Sequence, residues 1–291
     1  IGSEDADLDE LNHIRLNGEK LTWNTKQKGA VGRMKLDKQV TALINQMEGQ
    51  LGILPFGKEI INLIRESYQE GTSLQEATFR FVHALFSEFG LLVLLPDNAN
   101  LKRTMIPVFR EELLQQPAAA IIEKSAAALN EADYKVQASA REINLFYLKE
   151  DIRNRIEKKG EQYQVVDTNL RFSQEEMLTE LDTHPDRFSP NVILRGLYEE
   201  TILPNIAFIG GGGETAYWLQ LKGLFEYYKV PFPVLVLRNS FLLLEKKWQE
   251  TILKTGFTIE NFFQSGDVLL NRLVMSGSPE KVVLNGSLTA I

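Results

Sequence analysis

The segment from Pro204 to Leu237 constrains this chain more than any other. It reads as a buried strand, Pro204–Ile209 (PNIAFI), then four glycines, Gly210–Gly213, a helix over Glu214–Tyr228, and a second apolar strand, Pro233–Leu237 (PVLVL). Strand, glycine turn, helix and strand within one short stretch make a βαβ unit. Its strands must run parallel, and the implied fold class is α/β with a Rossmann-like parallel sheet core flanked by helices. Ligands of such sheets bind at the carboxyl ends of the strands, where Gly210–Gly213 and Arg238 fall.

The glycine run admits two readings. Glycine permits positive φ and close approach of backbone to a ligand, and a helix that starts there offers free N–H groups to an anion. The plainer reading is a tight strand-to-helix turn. The run is not the dinucleotide fingerprint, because Thr215 stands where the third glycine of G-x-G-x-x-G belongs. Glu214 also carries two readings: a carboxylate favoured at a helix N-terminus, or a group that rejects phosphate and selects an amine. No G-x-x-x-x-G-K-[ST] loop and no G-x-S-x-G elbow occur.

Upstream, Leu36–Leu51 and Lys58–Tyr68 have helical periodicity. Ser73–Phe89 has it most clearly, with Ser73 and Glu76 placed for a capping box and Gly90 for a stop. Leu91–Leu95 (LLVLL), closed by Pro96-Asp97-Asn98, predicts a strand buried on both faces. Helices follow at Leu101–Leu114 and Ala118–Ala132. Residues 138–187 are more polar: strand-like Leu145–Leu148 and Tyr163–Val166 flank the charged stretch Lys149–Glu161, and a helix covers Gln174–Leu181. They predict an inserted hairpin-containing subdomain. The expected organisation is a first Rossmann-like part with a helical connection (1–137), the insert (138–187), a second Rossmann-like part (188–245) and a helical C-terminal part (246–291).

Composition narrows the function. With 44% hydrophobic and 24% charged residues the chain is an ordinary globular sequence. The net charge of −7, with scattered Lys and Arg, argues against nucleic acid as a partner. The apolar runs are too short to cross a bilayer, so no membrane association is expected. Cysteine is absent, which excludes disulfides, thiolate metal sites and a cysteine nucleophile, and fits a cytoplasmic setting. The opening Ile-Gly-Ser-Glu-Asp has no initiator Met and no signal-peptide character, and reads as the start of an excised piece of a longer protein.

Candidate site residues cluster in three places. The acidic run Ser3-Glu4-Asp5-Ala6-Asp7-Leu8-Asp9-Glu10 is either a solvated N-terminal cap or a carboxylate cluster for an ammonium group or Mg²⁺. Its spacing mimics a calcium loop only at the start, since Glu10 and Leu16 occupy the glycine and closing-glutamate positions, so a calcium hand is rejected. His13 follows the run closely enough to act as acid, base or phosphate partner, or it is a structural histidine. No metal-binding spacing links His13, His83 and His184. Arg187, Asn191 and Arg195 surround Ser189-Pro190, where the arginines could grip a carboxylate or phosphate.

Taken together these stretches resemble the bacillithiol biosynthesis cysteine-adding enzymes, the BshC family. The resemblance is carried by Gly2–Asp7 with Glu10 and His13, Gly29-Ala30-Val31-Gly32-Arg33, Arg187–Asn191 with Arg195, and Leu203-Pro204 leading to Gly210–Glu214. It continues through Ala216-Tyr217-Trp218-Leu219-Gln220-Leu221-Lys222 and Val230–Val236, and so spans nearly the whole chain. Ala6 departs from the pattern, standing where the family often has His.

The resemblance implies a ligase that joins L-cysteine to the amine of glucosaminyl malate in the last step of bacillithiol biosynthesis, with ATP as co-substrate and Mg²⁺ as a candidate ion. It also implies a longer parent with further N-terminal core and a C-terminal coiled coil through which it forms a homodimer. The residues it suggests are Asp5, Asp7 and His13 for catalysis, and Ser3, Glu4, Gly32, Arg33, Arg187, Asn191, Arg195, Gly210–Glu214, Tyr217, Trp218 and Arg238 for substrate or nucleotide. Two competing readings keep the fold but change the role: a nucleotide- or sugar-phosphate-binding transferase, and a non-catalytic scaffold.

Overall fold

The computed structural model describes residues 7–277. The chain divides into two compact units at residue 238/239. In the first, helix α1 (Leu8–Leu11) precedes a hairpin of β1 (His13–Leu16) and β2 (Glu19–Thr22), and then helices α2 (Lys38–Leu51), α3 (Gly57–Ser67) and α4 (Leu74–Phe86). Their apolar stripes close a small core around Trp23, Leu36, Ile44, Ile61 and Ala77. Asp37 and Ser73 cap α2 and α4 by accepting from Gln39 and Glu76 N–H groups. The capping box expected at Ser73 is only half formed, because Glu76 turns instead to Arg80 one turn on. Gly90 ends this region at φ 78°, in the left-handed conformation that suits glycine.

A second core is built from helices α5 (Ala99–Arg103), α6 (Ile106–Gln115) and α7 (Pro117–Glu131) and a mixed segment that follows. The latter comprises β3 (Leu145–Lys149), β4 (Ile152–Lys159), β5 (Gln162–Val165), β6 (Arg171–Phe172), α8 (Gln174–Thr183) and β7 (Phe188–Pro190). The five strands form one antiparallel sheet in the order β6-β5-β4-β3-β7. The charged stretch 149–161 is therefore not a connector: most of it is β4, paired with β3 on one side and β5 on the other. An antiparallel strand with one solvated face accommodates Arg, Lys and Glu so long as a residue such as Ile156 enters the core.

The parallel pair closes the unit. Helix α9 (Val192–Ile202) leads to β8 (Ala207–Gly210), α10 (Gly212–Tyr228) and β9 (Val234–Leu237), with Ala207 opposite Val234 and Gly210 opposite Leu237. This is the Rossmann-like βαβ unit expected from the sequence. Helix α10 packs on α7 and α9 through Trp218, Leu221, Leu224 and Phe225. Gln220, fully buried in the same helix, accepts from the Gln137 and Ala138 N–H groups and donates to Ala138 C=O. One amide thereby satisfies three backbone groups of a stretch that has no ladder of its own.

Two expected burials are not found. Leu91–Leu95 is not part of a strand among the described residues, and Leu92 is 91% exposed. Strands β8 and β9 are not covered on both faces either, since Ile209 and Val234 are 67% and 63% exposed. Hydrophobic runs report a preference for burial, whereas burial itself requires neighbours on both faces, and Leu92, Ile209 and Val234 stay largely exposed among the described residues.

In the second unit the sequence reads as helical over Phe241–Leu253, but residues 241–245 are not helical and α11 covers Lys246–Lys254. A 3₁₀ turn (Ile259–Phe263) and α12 (Gly266–Gly277) follow. Among the described residues no helix is long and apolar enough to cross a membrane.

Candidate functional site

The first turn of α10 is where backbone, charge and open space converge. Gly211 is the N-cap residue, with extended φ −67° and ψ 171°, and Gly212, Gly213 and Glu214 are the first three helical residues. Helix geometry leaves their three N–H groups without intrahelical acceptors, and none has an acceptor among the described residues. The Glu214 carboxylate folds back and accepts the Gly211 N–H at 2.7 Å. It thus complements the positive helix end from within the chain.

None of the four glycines has positive φ, so the conformational argument for them fails. Their surroundings divide them instead. A Cβ at Gly210 would sit 2.5 Å from the Phe208 ring, and one at Gly211 would sit 3.2 Å from both Arg238 Nη2 and Glu214 Oε2. These two are small because the protein itself is close. At Gly212 and Gly213 a Cβ would meet nothing within 4 Å among the described residues. No internal contact requires glycine at the first two helical positions, where it lowers helix stability. Both are exposed, and the exposed Arg238 guanidinium lies next to Gly211 before them. Arg238 is held there by its own N–H, which donates to Gly210 C=O at 2.9 Å and so joins the ends of β8 and β9.

Behind the turn, α9 contributes Arg195 and Glu199, one helical turn apart. Burial pushes the Glu199 carboxyl above its ordinary range; Arg195 opposes that shift, while Glu200 and Glu214 add to it. Burial, with Glu199 and Glu214 nearby, also raises the Tyr217 phenol. Arg195 is buried, with Nη2 3.4 Å from Ser189 Oγ and from Pro190 C=O. Glu199 did not stand out in the sequence because Tyr198-Glu199-Glu200 looks like an ordinary helix surface. Glu200 is in fact buried and accepts from the Asn205 N–H and side chain.

Other sequence candidates are engaged elsewhere. Gly32 is buried in a 3₁₀ turn, and the Arg33 guanidinium makes a bidentate pair with Asp97 at 2.6 Å while donating to Asp186 C=O. Lys102, fully buried, donates to the same Asp97 carboxylate at 2.7 Å. Burial opposes the charge on Asp97, but Arg33 and Lys102 outweigh it and hold the carboxyl below its usual range. This is a structural clamp between residues far apart in sequence, not an open ligand site. Arg187 pairs with Glu180 at 2.6 Å, and the same carboxylate accepts the Tyr147 hydroxyl. Asn191 caps α9 and donates to Asn144. Trp218 is fully buried and stacks on Phe208, with ring centroids 4.0 Å apart, so it supports β8 from below and presents no ring to a ligand.

Ser3, Glu4 and Asp5 lie outside the described residues. Asp7 caps α1, is largely exposed, and faces Arg153 of β4 at 3.8 Å. His13 lies in β1 beside Asn12, with Nδ1 3.3 Å from Asn12 Oδ1. Among the described residues no hydrogen bond or ion pair joins Asp7 or His13 to Gly210–Glu214. Among them, too, no group of three or more His, Asp or Glu side chains is arranged to hold a metal ion.

Known proteins share this arrangement of sequence. A relative from Flavobacterium psychrophilum, named "Putative cysteine ligase BshC", is 40% identical over 97% of this chain and 52% of its own length. Relatives of the same name from Cytophaga hutchinsonii and Salinibacter ruber are 39% and 31% identical, covering 97% and 94% of this chain and 52% of each relative. The chain thus spans about half the length of the relatives it matches. The family described as "Bacillithiol biosynthesis BshC, N-terminal Rossmann-like domain" matches residues 1–239, which takes in both strands of the parallel pair, the glycine turn between them and Arg238. By that match, and by the identity it shares with these relatives, the chain belongs to the BshC family.

Proposed function

We propose that the full-length protein is a carbon–nitrogen ligase that joins the carboxyl group of L-cysteine to the amine of glucosaminyl malate, completing bacillithiol. The observation that carries this reading is the open first turn of α10 in a chain of this family. Gly212 and Gly213 are bare where nothing among the described residues demands it, their own N–H groups and that of Glu214 have no acceptor among those residues, and the exposed Arg238 guanidinium lies next to Gly211. Such a turn suits an anion that approaches the backbone closely, such as a nucleotide phosphate or a carboxylate.

Amide formation needs an activated carboxyl group, which ATP supplies when bound. The residues that fit its phosphates are Gly212, Gly213 and Arg238. The same N–H groups would steady negative charge developing on the cysteine carbonyl oxygen. Glu214 and Glu199 provide carboxylates on the near side for an ammonium group, and a raised Glu199 pKa suits a group that takes a proton from the attacking amine. Glu4 and Asp5 remain candidates for an ammonium or Mg²⁺, and Asp7 and His13 for proton transfer, if the opening residues approach this turn. We place the activity in the cytoplasm and the full-length protein in a homodimer joined by a C-terminal coiled coil.

The test is direct. Full-length protein incubated with cysteine, glucosaminyl malate and ATP should yield bacillithiol by mass spectrometry, with consumption of ATP. No product at saturating substrates overturns the reading.

A further inference from the structure

The small N-terminal core is indented by an apolar cleft that opens to solvent beside Leu11 and Ile14. A cavity of about 270 Å³ lies between the β1–β2 hairpin and helices α2, α3 and α4, walled chiefly by Leu21, Trp23, Ile44, Met47 and Leu74. A concave, mostly apolar wall with a few polar groups at one end is the usual form of a small-molecule site.

The polar groups in its wall define what could fill it. Trp23 Nε1 already donates to Asp37, and the Tyr68 hydroxyl is engaged with Thr78 at 3.5 Å. Among the described residues the lining includes no Asp, Glu, Lys or Arg. A phosphate, a carboxylate or a zwitterion would find no counter-charge there, so the substrates and nucleotide proposed above are unsuited to it. Polar capacity is confined to one end, where Asn12 and His13 stand between Leu11 and Ile14, both of them exposed. His13 Nδ1 faces Asn12, and among the described residues Nε2 has no hydrogen-bond partner.

We propose that this cavity is a binding site for a neutral aromatic or heteroaromatic molecule of one or two fused rings, its ring plane against the half-buried Leu43, Ile64 and Phe81 and a single hydroxyl or ring nitrogen directed to His13. It shares no lining residue with the glycine turn, and it does not depend on the ligase reading.

The probes are 1-naphthol, 1-methylnaphthalene and 1-naphthyl phosphate, titrated into the intact chain while methyl NMR signals of Ile44, Ile64 and Met47 are followed. Saturable shifts of these methyls with 1-naphthol, and none with the phosphate ester, are expected. Leu43→Phe, which places a ring in the cavity, should weaken 1-naphthol at least about tenfold without lowering the melting temperature. If that variant folds poorly, Ile64→Phe serves instead, read on Ile44 and Met47. His13→Ala should weaken 1-naphthol about fivefold, the value of one hydrogen bond, and leave 1-methylnaphthalene unchanged. Absence of saturable shifts up to the solubility of 1-naphthol overturns the proposal. So do shifts located outside this lobe, equal binding of the phosphate ester, or unchanged affinity in both cavity-filling variants.

Discussion

Replacing Gly212 with Ala separates a structural from a functional reason for glycine, because the two predict opposite signs. Gly212 is the first residue of α10, lacks positive φ, and would direct a Cβ into space with none of the described residues within 4 Å. In such a position Ala restricts the unfolded chain and favours the helix, stabilising the protein by about 0.5–1 kcal/mol. For a unit of this size that raises Tm by roughly 1–4 °C. If a ligand rests on that backbone, the added methyl intrudes on it, and an overpacked contact costs about 1–3 kcal/mol, or roughly 5- to 150-fold in affinity. Calorimetric melting and ATP titration of the full-length variant read the two effects separately. A higher Tm with weaker ATP binding and slower bacillithiol formation is expected. A stabilised variant with unchanged ATP affinity refutes a ligand-facing role for the turn, and a destabilised one refutes the claim that nothing internal needs glycine there. Gly196→Ala is the control: its Cβ would lie 3.1 Å from the Trp218 ring and from Leu221, so Tm should fall.

Three further outcomes follow from the same geometry. Asp97→Asn leaves Lys102 buried without its counter-charge and should cost about 3–5 kcal/mol by denaturant melting. Because the folded Asp97 pKa is depressed, its contribution is complete above the ordinary aspartate pKa and is lost as pH falls through the lower folded value, so wild type and variant should converge in acid. Gln220→Leu strands two N–H groups and a carbonyl at 137–138, costing about 1–3 kcal/mol for each group that water cannot reach, and should speed hydrogen exchange there. Arg238→Ala removes an exposed guanidinium and should weaken ATP binding severalfold while shifting Tm by less than about 2 °C.

How far the sequence could be read depended on whether the cause of a feature was local. The helix over Leu74–Phe86, its Ser73 cap and its Gly90 stop are written in adjacent residues, and they form with only the reciprocal Glu76 bond missing. The βαβ unit was legible for the same reason, since turn chemistry and two periodicities meet within it. Strand β4 was not, because Lys, Arg and Glu on a half-solvated strand look like a charged linker until β3 and β5 are placed beside it. Leu91–Leu95 failed in the other direction: five consecutive apolar residues state what the segment would prefer, yet Leu92 is left 91% exposed.

The same distinction explains the site. Arg33 looked like a ligand-binding arginine because its type and its family context allow that, but Asp97, 64 residues away, takes its guanidinium. Nothing near Arg33 in sequence announces that pairing. Trp218 and Tyr217 are neighbours in one motif, yet an α-helix turns 100° between them, sending the indole into the core against Phe208 and the phenol toward Glu199 and Glu214. The glycines show the converse. Four identical letters conceal two constraints, because Gly210 and Gly211 are small to admit Phe208, Glu214 and Arg238, whereas Gly212 and Gly213 are small toward solvent. Glu214 gains meaning from that division. By accepting the Gly211 N–H it already occupies one side of the positive helix end, so an incoming anion must share the turn with a carboxylate under Arg238. That crowding disfavours ligands carrying only negative charge and favours those that bring an ammonium group or a metal ion with them, as an amino acid and a metal-bound nucleotide both do.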